Sequence, residues 1–392
     1  MKPVKPAMGI AILAIAVPLV IIQASNGNSP YPKTKKSSQS VRMNDNWRIF
    51  RGDPGLSGNI AVDLPERPEI LWSFQTGGPV HSTVVAANGR VYAGSGDGKI
   101  YALSMKDGFK LWEYDTGAPV EASPLLEEKT VLAGSTNGMF FAINAENGEL
   151  IWKYKTGDRI FGSANIITID NRRYILVGSY DHWMYCLDFL TGKVRWRYET
   201  ESYINGAPAI LDQSVVFGGC DAKVHVISAN TGKKVSEIDS GSYIAGSVAI
   251  AGQSGFLADY AGFILCIHPK SGRIGWRFGE DGGAPIVSSP AVNENRVVVG
   301  SRDRTLYCLD RKNGKKVWEY QAHGDFEGSP VICGSKIIVG GTDGRIYIID
   351  LKNGQLLWSY EMGSPIKGCP AIAGNMIFIG SADGRIYAFG AK

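Results

Sequence analysis

Eleven residues, 102–112 (ALSMKDGFKLW), constrain the fold of this chain more than any other stretch. They open on a small residue, turn through Asp107-Gly108 and close on Trp112. The pattern returns at 142–152, 186–196, 266–276, 308–318 and 348–358, and a copy without its tryptophan spans 226–236. The closing positions, Trp112, Trp152, Trp196, Ser236, Trp276, Trp318 and Trp358, are spaced 40, 44, 40, 40, 42 and 40 residues apart. Stepping 40 residues back from Trp112 reaches Trp72, which makes eight units. A period near 40 is the length of a propeller blade, and stacked repeats bury one continuous core where each alone could not.

Each unit reads as four short strands. In the first they are 82–87, 90–95, 99–105 and 109–115. Asp97-Gly98, and its equivalents Asn137-Gly138, Asp343-Gly344 and Asp383-Gly384, mark the hairpin between second and third strands, because both residues tolerate positive φ. Ser-Pro or Cys-Pro at 123–124, 289–290, 329–330 and 369–370 suits an innermost strand, since proline is confined to strand starts and edges. The eighth unit ends at Lys392 without a fourth strand, while residues 69–75 (EILWSFQ) form an orphan strand with Trp72 in the matching place. The expected fold is therefore all-β: an eight-bladed propeller of four-stranded antiparallel blades over 69–392, its ring closed by the N-terminal strand completing the last blade. Closure removes edges on which such an array would aggregate.

Ahead of the ring, residues 1–24 read as a signal peptide or N-terminal anchor, with Lys2 and Lys5 before an apolar run at 9–22. Cleavage and retention both remain open. No cysteine follows the run before Cys186, which argues against a lipoprotein. Residues 25–46 read as a flexible linker and 47–68 as a strap in which Trp47 and Phe50 pack on the propeller wall. Arg51-Gly52-Asp53 reads as an ordinary turn. Export to the periplasm or another extracytoplasmic space is expected, with membrane contact only through the N-terminal segment. Cys186, Cys266 and Cys308 share the first position of the repeat and read as small, buried, free thiols. A net charge of +4, with no dense basic stripe, gives no ground for nucleic-acid binding.

Residues 186–196 (CLDFLTGKVRW) fit best a tryptophan-docking pattern: small residue, Asp, Thr-Gly, Trp. This resembles the PQQ-like β-propeller repeat family, across 69–389. The family includes PQQ dehydrogenases and BamB-like outer-membrane assembly proteins. The resemblance implies that Trp72, Trp112, Trp152, Trp196, Trp276, Trp318 and Trp358 dock between blades, each against the small first residue of its own motif and a glycine of the next. It also implies what a quinone enzyme would need: long insertions over one face, a calcium held by acidic and amide side chains, an Asp base and often paired cysteines. The loops here are short and no Cys-Cys pair occurs, so no cofactor residue is carried over and no catalytic or metal residue is expected. PQQ with calcium belongs only to the alternative reading. The recurring Asp97, Asp181, Asp221, Asp303, Asp343 and Asp383 read as turn residues.

Function is sought where the blades differ. Strand alternation puts the loops entering each blade and the second-to-third hairpins on one face. There His81, Glu121, Asn205, Glu327 and Lys367 are expected around the channel mouth, as a solvated rim or as a polar ligand pocket. Tyr180, His182, Tyr260, Arg302 and Arg304 are of the types that anchor protein interfaces and are candidates for a protein or peptide partner. The resulting expectation is a monomeric, non-catalytic interaction scaffold of the cell envelope, BamB-like, with a role in outer-membrane protein assembly. The alternative is a PQQ- or other small-ligand-binding quinoprotein-like oxidoreductase acting at the channel mouth.

Overall fold

The structure is a computed structural model that describes residues 46–392. The signal or anchor at 1–24 and nearly all of the linker at 25–46 lie outside the described residues. Eight four-stranded antiparallel blades follow one another around a ring. The first is built from Val85–Ala87, Arg90–Gly94, Lys99–Ser104 and Lys110–Asp115, close to the strands expected from the turn residues. In the last, Glu69–Gln75 pairs antiparallel with Arg385–Gly390, from Glu69 opposite Gly390 to Gln75 opposite Arg385. Lys392 holds Glu69 at 2.7 Å beside that seam.

The repeat explains itself in this frame. Trp112 lies directly across the hairpin from Ala102, the small first residue of its own motif. Its face covers Gly148 of the next blade, where a Cβ would come within 2.9 Å of the ring. Its indole N–H donates 3.0 Å to the carbonyl of Ala145. Trp72, Trp152, Trp196, Trp276 and Trp318 repeat this bond to Met105, Phe189, Ala229, Arg311 and Leu351. Trp358 differs because the seam interrupts the next hairpin; its ring packs instead against Tyr360 and Phe389. All six cysteines are unpaired, with Cys186, Cys266 and Cys308 buried.

A second belt runs around the innermost strands. The backbone N–H of Thr83 donates to the Ser123 hydroxyl, and that of Ser123 to Ser163. Ala207 donates to Ser247, Ser247 to Ser289 and Ser289 to Ser329, and Cys369 returns to Thr83. The hydroxyl at this position thus satisfies a buried N–H of the preceding blade, a demand that burial makes obligatory.

The wall on which residues 47–60 pack is the inner one, formed by the innermost strands. Trp47 exchanges backbone hydrogen bonds with Ala86 in blade one, and Arg48 accepts from Leu126 in blade two. Pro54 accepts from Asn165 and Ile210, Gly55 from Ile250, Ser57 from Val292 and Gly58 from Ile332, taking blades three to seven in turn. Asn59–Ile60 then pairs in parallel with Val331–Cys333. Arg51 is fully buried. Its guanidinium donates to the carbonyls of Pro290 and Pro330 and to Cys369 Sγ, which ties blades six, seven and eight together. Gly58 has to be glycine, because a Cβ there would sit 2.0 Å from Arg51 Nη2. The Arg-Gly-Asp triplet is a turn, as expected, but one that plugs the channel.

Candidate functional site

The loops entering the blades converge on a mouth cavity of about 170 Å³, floored by Phe50 of the plug. His81, Glu121, Asn205, Glu327 and Lys367 all line it. Each stands two residues before a member of the belt, so the belt fixes the backbone from which these side chains project.

One side of the mouth is a charge network. Glu327, whose side chain is only 16% exposed, takes Arg302 Nη2 at 2.8 Å on one oxygen and Lys367 Nζ at 3.1 Å on the other. Burial alone would raise its carboxyl, but the hydrogen bond and charge of Lys367, with Arg302, outweigh burial and hold it below the ordinary carboxylate range. Arg302 also donates 3.3 Å to the Tyr260 hydroxyl. His81 Nδ1 lies 3.4 Å from Glu121.

The other side is aromatic. Tyr180 stacks against Tyr203 at 4.7 Å with 18° between the rings, and meets Phe161 at 4.7 Å on its other flank. Its hydroxyl donates 2.8 Å to Asn205, whose amide donates to the Ala245 carbonyl. His182 contacts Tyr203 edge-on at 5.2 Å. Tyr203, Tyr243 and Tyr260 are exposed along blades three to five.

The ten site residues expected from the sequence therefore fall into one connected surface with one exception. Tyr180, Arg302 and Tyr260 join the mouth by hydrogen bonds, and His182 joins through Tyr203. Arg304 is exposed and stands apart, with no side-chain partner among the described residues. His182 and Arg304 share one backbone feature, φ of +73° and +70°, at the turn position where most blades have glycine. A left-handed non-glycine residue costs roughly 1–2 kcal/mol.

Sequence reasoning missed Tyr203 and Tyr243 as site residues, whereas Phe161 was expected at the channel mouth and lines it. A signal existed: Tyr203 and Tyr243 occupy the loop position held by Pro79, Pro119, Pro285 and Pro365 in four other blades, all of which accept a hydrogen bond from the neighbouring hairpin. The turn aspartates are structural, as expected. Asp97 Oδ1 accepts the Lys99 N–H, and Oδ2 accepts the Tyr101 hydroxyl at 2.6 Å. Blade four replaces that tyrosine with buried His225, 2.9 Å from Asp221.

The donor set does not suit the quinone cofactor of the alternative. The cavity is well below the ~300–1,000 Å³ of ordinary ligand pockets, the plug fills the axis beneath it, and both mouth carboxylates face basic groups. Among the described residues no group of three His, Cys, Asp or Glu side chains is placed to hold a metal ion. We derive no reaction step through such a group.

Comparison with known proteins gives the same architecture. The family model described as "Beta-alanine-activating enzyme, beta-propeller" matches residues 120–334, more than half of the chain. The model described as "Outer membrane protein assembly factor BamB" matches 62–171. A curated protein of that name from Nitrosomonas eutropha is 27% identical over 120 residues, which cover 31% of this chain and 27% of that protein's length. The crystal structure of BamB from Moraxella catarrhalis superposes with a TM-score of 0.71 at 18% identity, covering 83% of this chain and 100% of that one. The quinohemoprotein alcohol dehydrogenase from Comamonas testosteroni reaches 0.75 at 14% identity, covering 89% and 81%. These two structural likenesses establish the propeller fold. With its repeats, its closed eight-bladed ring and a family match over more than half its length, the chain belongs to the β-propeller family described for the beta-alanine-activating enzyme, and it is a PQQ-like repeat propeller of BamB-like type.

Proposed function

We propose that this propeller is a non-catalytic scaffold of the cell envelope that binds a protein or peptide partner through the face around its channel mouth. The observation that carries the reading is the continuous surface running from the exposed Tyr203, Tyr243 and Tyr260 to the Arg302–Glu327–Lys367 network. Tyrosine and arginine at the rim of a shallow, plugged depression are what a protein interface uses; a small-molecule site would be deeper and more enclosed. A role in outer-membrane protein assembly is the finer form of this proposal, supported by the partial match to the assembly factor from Nitrosomonas eutropha. Export, through the N-terminal segment, belongs to the same reading, as does a monomeric ring.

The test is capture from a detergent-solubilised envelope fraction by immobilised protein, identification of the bound protein, and titration of that purified partner. Changing Tyr180, His182, Tyr260, Arg302 and Arg304 together to Ala or Ser should weaken its affinity at least tenfold. Unchanged affinity would overturn the assignment of the face. The oxidoreductase reading is tested separately, by the absorbance of the purified protein after adding PQQ and calcium and by dye-linked alcohol oxidation; binding with turnover would replace the scaffold by an enzyme.

A further inference from the structure

Between blades five and six the repeat is broken in a way that leaves a mould. In blade one the outer strand runs into Asp115-Thr116-Gly117-Ala118-Pro119. After blade five the same stretch reads Gly279-Glu280-Asp281-Gly282-Gly283-Ala284-Pro285, with two residues more and no threonine. A cleft of about 620 Å³ opens there, the size of an ordinary ligand pocket.

The groups that the missing Thr-Gly would satisfy line this cleft and have lost their partners. Thr116 N–H and its hydroxyl both donate to the Gly98 carbonyl. The equivalent carbonyl, Gly262, accepts no hydrogen bond among the described residues. In blades one and three the buried Ser95 and Ser179 hydroxyls contact Thr76 and Thr156 at 3.2 and 3.3 Å. The equivalent Ser301, 1% exposed, accepts the Asp303 N–H and donates to nothing among the described residues. Asp97 and Asp181 each accept a backbone N–H on Oδ2, from Gly77 at 2.7 Å and Gly157 at 2.6 Å. Asp303 keeps only the Tyr307 hydroxyl on that oxygen.

We propose that this cleft is a peptide-binding site for a Thr- or Ser-containing segment of a partner protein. The ligand's N–H and hydroxyl donate to Gly262 O, its hydroxyl oxygen accepts from Ser301, and the following N–H donates to Asp303 Oδ2. Each is a bond that the chain makes with itself in other blades. A buried hydroxyl or carbonyl left unpaired is costly, so the site favours a ligand that supplies this alternating set of donors and acceptor over one that supplies charge alone. The inference rests on the protein-scaffold reading and adds to it the chemistry of one segment of the partner.

The probe is the chain's own loop as a free peptide, acetyl-Tyr-Asp-Thr-Gly-Ala-Pro-amide, titrated by calorimetry and heteronuclear NMR. The peptide should bind, with shifts confined to Gly262, Ser301, Asp303 and the 279–283 loop. The analogue with valine for threonine loses the hydroxyl that donates to Gly262 and accepts from Ser301, and should bind at least about fivefold more weakly. Replacing residues 279–283 by Asp-Thr-Gly should fill the cleft from within and abolish binding. Ser301→Ala, a smaller change, should weaken it about fivefold whether or not the graft folds. No binding at millimolar peptide, equal binding of the valine analogue, or full affinity in Ser301→Ala would overturn the site. Changing only Tyr180 and His182, the mouth residues of blade three, should leave this peptide's affinity unchanged. Loss of the peptide site with retention of partner capture at the mouth would therefore sink this inference alone.

Discussion

The Ser236 hydroxyl donates to the carbonyl of Pro269, 33 residues further on, the same separation at which Trp112 donates to Ala145. The one unit without its tryptophan has kept the hydrogen bond and given up the apolar contact. Gly272 is consequently less crowded than its counterparts: a Cβ there would stand 3.5 Å from Ser236 Cβ, against 2.9 Å from the Trp112 ring at Gly148.

This separates the two contributions of the clasp. Trp276→Ala should destabilise the ring by about 3–5 kcal/mol, the usual cost of emptying a large aromatic site. Ser236→Ala should cost about 1 kcal/mol, one hydrogen bond. Urea midpoints of the two variants check the ratio; equal losses would mean that the indole contributes only its N–H.

Arg51→Met keeps the length of the side chain and removes its donors. It strands the Pro290 and Pro330 carbonyls in a buried place, at about 1–3 kcal/mol for each. A drop of roughly 2–6 kcal/mol in unfolding free energy is expected by that reckoning. Arg51→Lys should recover less than half of it, because one ammonium cannot span two carbonyls as the planar fork does.

Glu327 should give the mouth a pH dependence. Its carboxyl is held below its ordinary 4.5, so its contribution to stability is complete above that value and is lost as the pH falls through the lowered folded-state value. Protonation breaks the links to Arg302 and Lys367 together. Denaturant midpoints should fall more steeply below about pH 4.5 in the wild type than in Glu327→Gln, which is already uncharged.

Removing residues 1–75 takes away both the plug and the strand paired with Arg385–Gly390. The remaining ring has an open edge and should associate or precipitate. Sedimentation velocity of the truncated and full chains decides this; a monomer with an unchanged melting temperature would mean that closure does not depend on the strand.

The sequence showed the ring because its evidence is local and repeated. Asp97-Gly98 sets a hairpin on its own, and Ala102 opposite Trp112 recurs in blade after blade. The seam was legible for the same reason, as a missing strand and a spare one. The plug was not. Arg51 occurs once, and its site is made of carbonyls some 239 and 279 residues away, so nothing near it in the chain reveals its burial. At the mouth, the residues that enter the blades line the cavity, and strand alternation alone points to them. Tyr203 and Tyr243 escaped because the prolines they replace looked like punctuation, and the place of those prolines beside the hairpins emerges only when the blades stand side by side. The cleft after blade five left a trace in the spacing of 42 between Trp276 and Trp318, which a count of repeats alone treats as drift.

The pairing of Glu69–Gln75 with Arg385–Gly390 has a consequence in time. The strand made early in synthesis is needed late, since its partner emerges more than 300 residues after it. Seven blades can form by short, local hairpins as they appear, but the closing step joins segments over 300 residues apart, the kind of long-range contact that slows folding. Until then the waiting strand and the outer blade edge are both unpaired in a half-made molecule. An unclosed ring offers both edges to aggregation, and closing it waits on a contact across more than 300 residues.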